Sequence, residues 1–122
     1  MTKLLDDLLN FYSTFPEWEG DKCLTPFSRN KFGDYPLNVA ATRGLIEEME
    51  ILLKSGADIN LKGEHGYSAL HNGVESGSLE AVQFLINHGA DILQVNDHNI
   101  SSIQLSDYLD EVIIKDYLSK RF

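Results

Sequence analysis

Apolar residues recur along this chain at helical spacing. Leu4, Leu5, Leu8, Leu9 and Tyr12 lie three and four apart between Thr2 and Phe15, which predicts an amphipathic helix. Met49, Leu52 and Leu53 form a second stripe, and Val82, Leu85 and Ile86 a third. Each of the last two stripes follows a short run containing Ala40 and Ala41, or Gly73, small enough for one helix to lie close to its neighbours. Gly44 and Gly77 are expected to end these first helices, and Gly56 and Gly89 the second ones.

The pattern repeats at a fixed interval. Gly33, Gly66 and Asn99 lie 33 residues apart, as do Leu37, Leu70 and Ile103, and Leu52, Leu85 and Leu118. A period of that length predicts stacked supersecondary units that bury a continuous core together. Gly33 and Gly66 suit a turn at positive φ, where Asn99 is the next-best residue. Pro36 suits the first turn of a helix, where its missing N–H is not needed.

The runs Pro36-Leu37…Ala40-Ala41…Gly44 and Ala69-Leu70-His71…Gly77 resemble the first-helix signature of the ankyrin-repeat family. Leu52-Leu53-x-x-Gly56-Ala57-Asp58-Ile59-Asn60 and Leu85-Ile86-x-x-Gly89-Ala90-Asp91-Ile92 resemble its second-helix ending. The resemblance covers about residues 30–118, with two good copies and one poor one. It implies an all-α solenoid of about three 33-residue helix-pair units, with hairpin-like loops projecting at right angles. The expected organisation is an N-terminal capping helix and long loop over 1–32, then units over 33–65, 66–98 and 99–122. The chain departs from the family at Tyr35, which replaces a threonine, and at Asn38 and Gln104, which replace a histidine. The third unit lacks the inter-helix glycine and is expected to be one residue shorter. Its Lys115, Asp116, Lys120 and Arg121 suit a polar C-terminal cap, because no neighbour covers a terminal repeat.

At the other end the leucine stripe fits a cap on the first unit; a partner or a membrane surface could also take it. The stretch from about residue 15 to 32, with Pro16, Trp18, Gly20, Pro26 and Phe27, reads as a long irregular loop, and such loops are often functional. With both ends capped and Met1 in first place, the chain is expected to be complete and monomeric.

Composition changes this picture little. The chain has 122 residues, 43% hydrophobic and 24% charged, which suits one folded domain. Its single cysteine, Cys23, can make no internal disulfide, and no run reaches signal-peptide or bilayer-spanning length. A cytoplasmic location is expected.

Candidate chemistry is sparse. No pair among His65, His71, His88 and His98 shares zinc-ligand spacing on one element, and no glycine-rich stretch follows a phosphate-cradling pattern. Glu47, Glu48 and Glu50 read as a solvated helix face, and Cys23 has no obvious activator. No enzyme activity, metal or cofactor is expected. The resemblance implies that His71 ties loop backbone together.

Charge says more. The net charge is −9, and the segment 67–99 carries −4 with no Lys or Arg. Its acids are Glu75, Glu80, Asp91 and Asp97. Acidity disfavours nucleic acid and anionic membrane as partners and favours a cationic protein, although solubility alone also accounts for it. The resemblance implies that loop tips and the exposed edges of first helices make contacts. In the first unit those positions are Phe32, Asp34 and Arg43, with Lys31 and Thr42 beside them. In the second they are Glu64, His65, Tyr67, Glu75 and Ser76, and in the third Asp97, His98, Ile100 and Tyr108, beside Leu109. Trp18 fits either an aromatic anchor next to this face or a core residue, and Tyr67 fits either an exposed or a buried position.

The chain is also similar to short bacterial ankyrin-type proteins that serve as immunity proteins beside secreted toxins. That similarity implies an inhibitor of a basic, nuclease-type toxin, acting as one subunit of a heterodimer by occluding the active site. An adaptor or scaffold without inhibitory role is the alternative, followed by a subunit of a larger assembly.

Overall fold

The computed structural model describes residues 2–20 and 22–121; Met1 and Phe122, at the ends of the expected 1–32 and 99–122 segments, and Asp21 lie outside the described residues. Among the described residues seven α-helices run in order: α1 Thr2–Tyr12, α2 Pro36–Arg43, α3 Ile46–Lys54, α4 Ala69–Glu75, α5 Leu79–Asn87, α6 Ser102–Tyr108 and α7 Val112–Ser119. The fold is an all-α helical repeat, and the described residues contain no strand beyond one antiparallel bridge between Val95 and Ser101.

Helices pair as α2 with α3, α4 with α5 and α6 with α7. The first helices stack in one row, α2 on α4 on α6, and the second helices in another, with α1 added ahead of α3. The in-phase Leu52, Leu85 and Leu118 are each 0% exposed between the rows. Burial of each such leucine stabilises the stack by about 1.5–3 kcal/mol.

Caps place the helix starts. Pro36 opens α2, Ser68 accepts from the His71 N–H, and Ser101 accepts from the Gln104 N–H. The turns before the first helices repeat in phase. The N–H of Asn30 donates to the Asp34 carbonyl, that of Gly63 to Tyr67, and that of Asn96 to Ile100, at 2.8–3.0 Å. In the outer two turns the asparagine Oδ1 also accepts two backbone N–H groups. Gly63 has no side chain because a Cβ there would collide with the Asp34 carboxylate and the Asn38 amide.

Three expectations change here. The third unit is not shorter: α7 starts 33 residues after α5, and Asp110 stands in phase with Gly44 and Gly77. Asp110 takes the same left-handed turn, φ 58° against 69° and 72°. An L side chain pays for that conformation, aspartate less than most. Asp110→Gly is therefore expected to raise stability by about 0.5–1 kcal/mol in urea unfolding, because the side chain is exposed and the strain is relieved. An unchanged or lower midpoint would show that the aspartate is unstrained.

The 15–32 stretch is not a detached loop. It holds a 3-10 turn over Pro16–Trp18, and Trp18, Cys23 and Pro26 are buried in it. It ends in the hairpin turn of the first unit, which begins at Asn30. The α1 stripe also splits: Leu8, Leu9 and Tyr12 are buried, whereas Leu4 is 57% exposed.

The third change concerns Glu48, which is half-buried and paired rather than freely solvated. Its carboxylate accepts from the Tyr12 hydroxyl at 2.6 Å and pairs with the Arg43 guanidinium at 2.8 Å. Arg43 in turn lies over the rings of Phe11 and Phe15. This cluster fastens α1 to the first unit. Burial, followed by the bond to Glu48, pushes the Tyr12 hydroxyl well above its ordinary pKa.

Candidate protein-binding surface

The helix rows and hairpin turns leave a concave side. Three in-phase positions line it at the ends of the first helices: Thr42, Glu75 and Tyr108. Three more come from the hairpins: Asp34, Tyr67 and Ile100. Between the first two units these rows enclose a cleft of about 240 Å³, formed by Asp34, Thr42, Glu64, Tyr67, Asn72 and Glu75, with His65 at its edge. A second cleft of about 260 Å³ shares Asp34 and Thr42 and continues towards Phe15, Glu17 and Arg43.

The cleft is acidic. Asp34 Oδ1 accepts the Glu64 N–H at 2.9 Å, which ties the first hairpin to the second. Burial, helped by the nearby Glu64 charge, raises the Asp34 carboxyl above its usual range. The Tyr67 hydroxyl donates to Glu75 at 3.3 Å, and burial together with that carboxylate raises its pKa. Tyr67 is half-buried, its ring resting on His71, so it is neither fully exposed nor core.

Five of the anticipated contact residues thus come together: Asp34, Glu64, His65, Tyr67 and Glu75. Others do not. Phe32 and His98 are exposed at hairpin tips, and Asp97 lies at the third tip, where its N–H donates to the His65 carbonyl. Ser76 is exposed beyond the end of α4, and Ile100 is half-buried. Arg43 is held by Glu48 and faces α1 rather than standing free.

Trp18 is not a contact residue. It is 1% exposed and sits in the same apolar cluster as Leu9 and Tyr12, because the 3-10 turn directs the ring inward. The anticipated row of aromatics therefore shrinks to Phe32, Tyr67 and Tyr108.

The acids of the second unit also divide. Glu75 faces the concave cleft, whereas Glu80 lies with Glu47 and Glu48 around a separate cleft at the inter-helix turns, of about 370 Å³. Asp91 is used by its own turn, accepting the Leu93 N–H.

Two features escaped the sequence reading. Asn72 is buried at the floor of the concave cleft, in phase with Val39 and Leu105. A polar residue among aliphatic in-phase partners was the available signal. The other is an exposed apolar patch around the last inter-helix turn: Tyr108 75%, Val112 68%, Ile113 70% and Leu109 42% exposed. Beside it Lys115, one of the residues anticipated for a polar cap, pairs with Asp107 at 2.6 Å. Those two residues stand in phase with the buried Val82 and Val74 of the unit before.

Among the described residues no group of three His, Cys, Asp or Glu side chains is placed to hold a metal ion. Cys23 is buried and its thiol is pushed up to about 12 by that burial, which disfavours the reactive thiolate. No helix of the described residues is long and apolar enough to cross a membrane.

No curated protein matches the chain. The family model for ankyrin repeats, in three copies, matches residues 6–96, starting within α1. With three-quarters of its length under that match, its helix pairs in phase and its hairpins on one side, the chain belongs to the ankyrin-repeat family, whose repeats form a protein–protein interaction module.

Proposed function

We propose that this chain is an immunity-type inhibitor that binds a basic, nuclease-type toxin in the cytoplasm and occludes its active site as one half of a heterodimer. The observation that carries the reading is the acidic concave cleft, with Asp34, Glu64 and Glu75 around Tyr67 and no free cation among the residues that line it. A nuclease cleft is cationic because it holds phosphate backbones. An acidic concave surface steers such a partner in and then excludes its substrate. Beyond the cleft, exposed Phe32 and Tyr108 would serve as aromatic anchors, with Ser76, Asp97, His98 and half-buried Ile100 as further contacts.

The test is capture of the partner from source cells, followed by assay of its catalytic activity with and without the chain. The partner should be basic and should lose activity stoichiometrically. Glu64→Lys with Glu75→Lys should raise Kd at least about a hundredfold and flatten its salt dependence. A captured partner that is acidic, or that keeps full activity when bound, would rule the reading out.

A second reading, an adaptor joining two proteins, is favoured by the apolar patch of Tyr108, Val112 and Ile113. Exposed patches of this kind mark interaction sites. Under it the captured partner would stay active and the chain would bridge it to a second protein.

A further inference from the structure

The concave cleft contains a nearly buried side chain whose amide donor the fold does not use. Asn72 is 7% exposed, and its orientation is dictated by a chain of donors. The Tyr35 N–H donates to Asn38 Oδ1 at 2.9 Å, so Asn38 Nδ2 faces the other way. That nitrogen donates to the Tyr67 carbonyl at 3.1 Å and to Asn72 Oδ1 at 2.8 Å. Asn72 must therefore accept through its oxygen and present Nδ2 as a donor. Its Nδ2 donates to no acceptor among the described residues, and the residue forms part of the cleft wall. The side chain is nearly buried but this donor opens to the cleft, so a ligand oxygen seated there can accept from it without any rearrangement of the fold.

The ligand must satisfy two demands at once. The Asn72 amide wants an acceptor oxygen, whereas Asp34, Glu64 and Glu75 around it want a cation or an N–H donor. A bare cation meets only the second demand, and an anion only the first. A peptide meets both, because each carbonyl stands beside an N–H and, at a basic residue, beside a positive side chain. The continuation of the groove past Asp34 and Thr42 towards Phe15 and Glu17 gives an extended segment somewhere to lie.

We propose that the cleft seats an extended basic peptide segment of the partner protein, one backbone carbonyl accepting from Asn72 Nδ2 while flanking Lys or Arg side chains pair with Glu64 and Glu75. The proposal rests on the concave face being the binding face. It adds that the partner is read through its main chain as well as its charge.

The probe is the blocked tripeptide acetyl-Arg-Ala-Arg-amide, titrated at millimolar concentration while the side-chain amide signals are followed by NMR. The Asn72 amide resonances should shift and saturate together with the Tyr67 signals. Propylguanidinium, which lacks a carbonyl, should shift Tyr67 and leave the Asn72 amide unmoved. Asn72→Leu, which installs the residue found in phase at Leu105, should weaken the tripeptide about tenfold. An Asn72 amide that stays unshifted while Tyr67 responds would overturn the proposal and leave the acidic-face reading standing. If neither the tripeptide nor the captured partner perturbs any cleft residue, both fall.

Discussion

Replacing Trp18 with alanine is expected to cost the fold about 3–5 kcal/mol. The ring is 1% exposed and belongs to the cluster that joins α1 to the first unit. A domain of this size has only about 5–15 kcal/mol in hand, so the variant should unfold at a much lower urea concentration. Far-UV circular dichroism is the measurement to use, because Trp18 is the chain's single tryptophan and its fluorescence disappears with it. Trp18→Phe should recover most of the loss. It keeps an aromatic ring and removes an indole Nε1–H that is buried with no acceptor. A loss below about 1 kcal/mol for the alanine variant would mean that the segment before the first unit adds nothing to the core.

The periodic part of this fold was legible in the sequence, and the aperiodic part was not. Gly33, Gly66 and Asn99 disclosed the turn, and all three have positive φ, 95°, 72° and 62°. The stripes of α3 and α5 and the start of α2 at Pro36 followed from spacing and sterics alone. Asp110 carries no glycine signature, because the turn demands only a residue that tolerates the left-handed conformation. Asn30, Gly63 and Asn96 repeat every 33 residues too, so the first hairpin could have been placed from the sequence. The burial of Trp18 and the Tyr12–Glu48–Arg43 cluster carry no such signal. They join residues up to 36 apart, in a segment that occurs once, so no in-phase copy shows which side faces inward. The acidic cleft was legible only as a list of candidate edges. Asn72 acquires its meaning from the orientation of Asn38, which no spacing predicts.

His71 is where the repeat's internal bonding can be tested most directly. It is 0% exposed. Its Nδ1 accepts the Ser68 N–H at 3.2 Å, and its Nε2 lies 2.9 Å from the Ile100 carbonyl. One nitrogen must accept and the other donate, so the ring is neutral with the proton on Nε2. The in-phase Asn38 does the same work with an amide: Oδ1 accepts the Tyr35 N–H, and Nδ2 donates to the Tyr67 carbonyl of the next unit. His71→Leu leaves the Ser68 N–H without an acceptor and takes one of two donors from the Ile100 carbonyl, which keeps the Asn96 N–H, and should cost about 1–3 kcal/mol. His71→Asn copies the first unit and should cost less than half of that. Burial holds the His71 pKa below its ordinary value, with the Lys62 charge acting the same way and the Ile100 bond opposing. The unfolded chain therefore takes up a proton near pH 6.5 that the folded chain refuses. The stability this gives is present in full above pH 6.5 and is lost as pH falls through the folded-state value. Urea midpoints measured from pH 7.5 down to 5 should fall for the native chain and stay flatter for His71→Asn. Equal slopes in the two proteins would assign the acid sensitivity to other groups and refute the buried neutral imidazole.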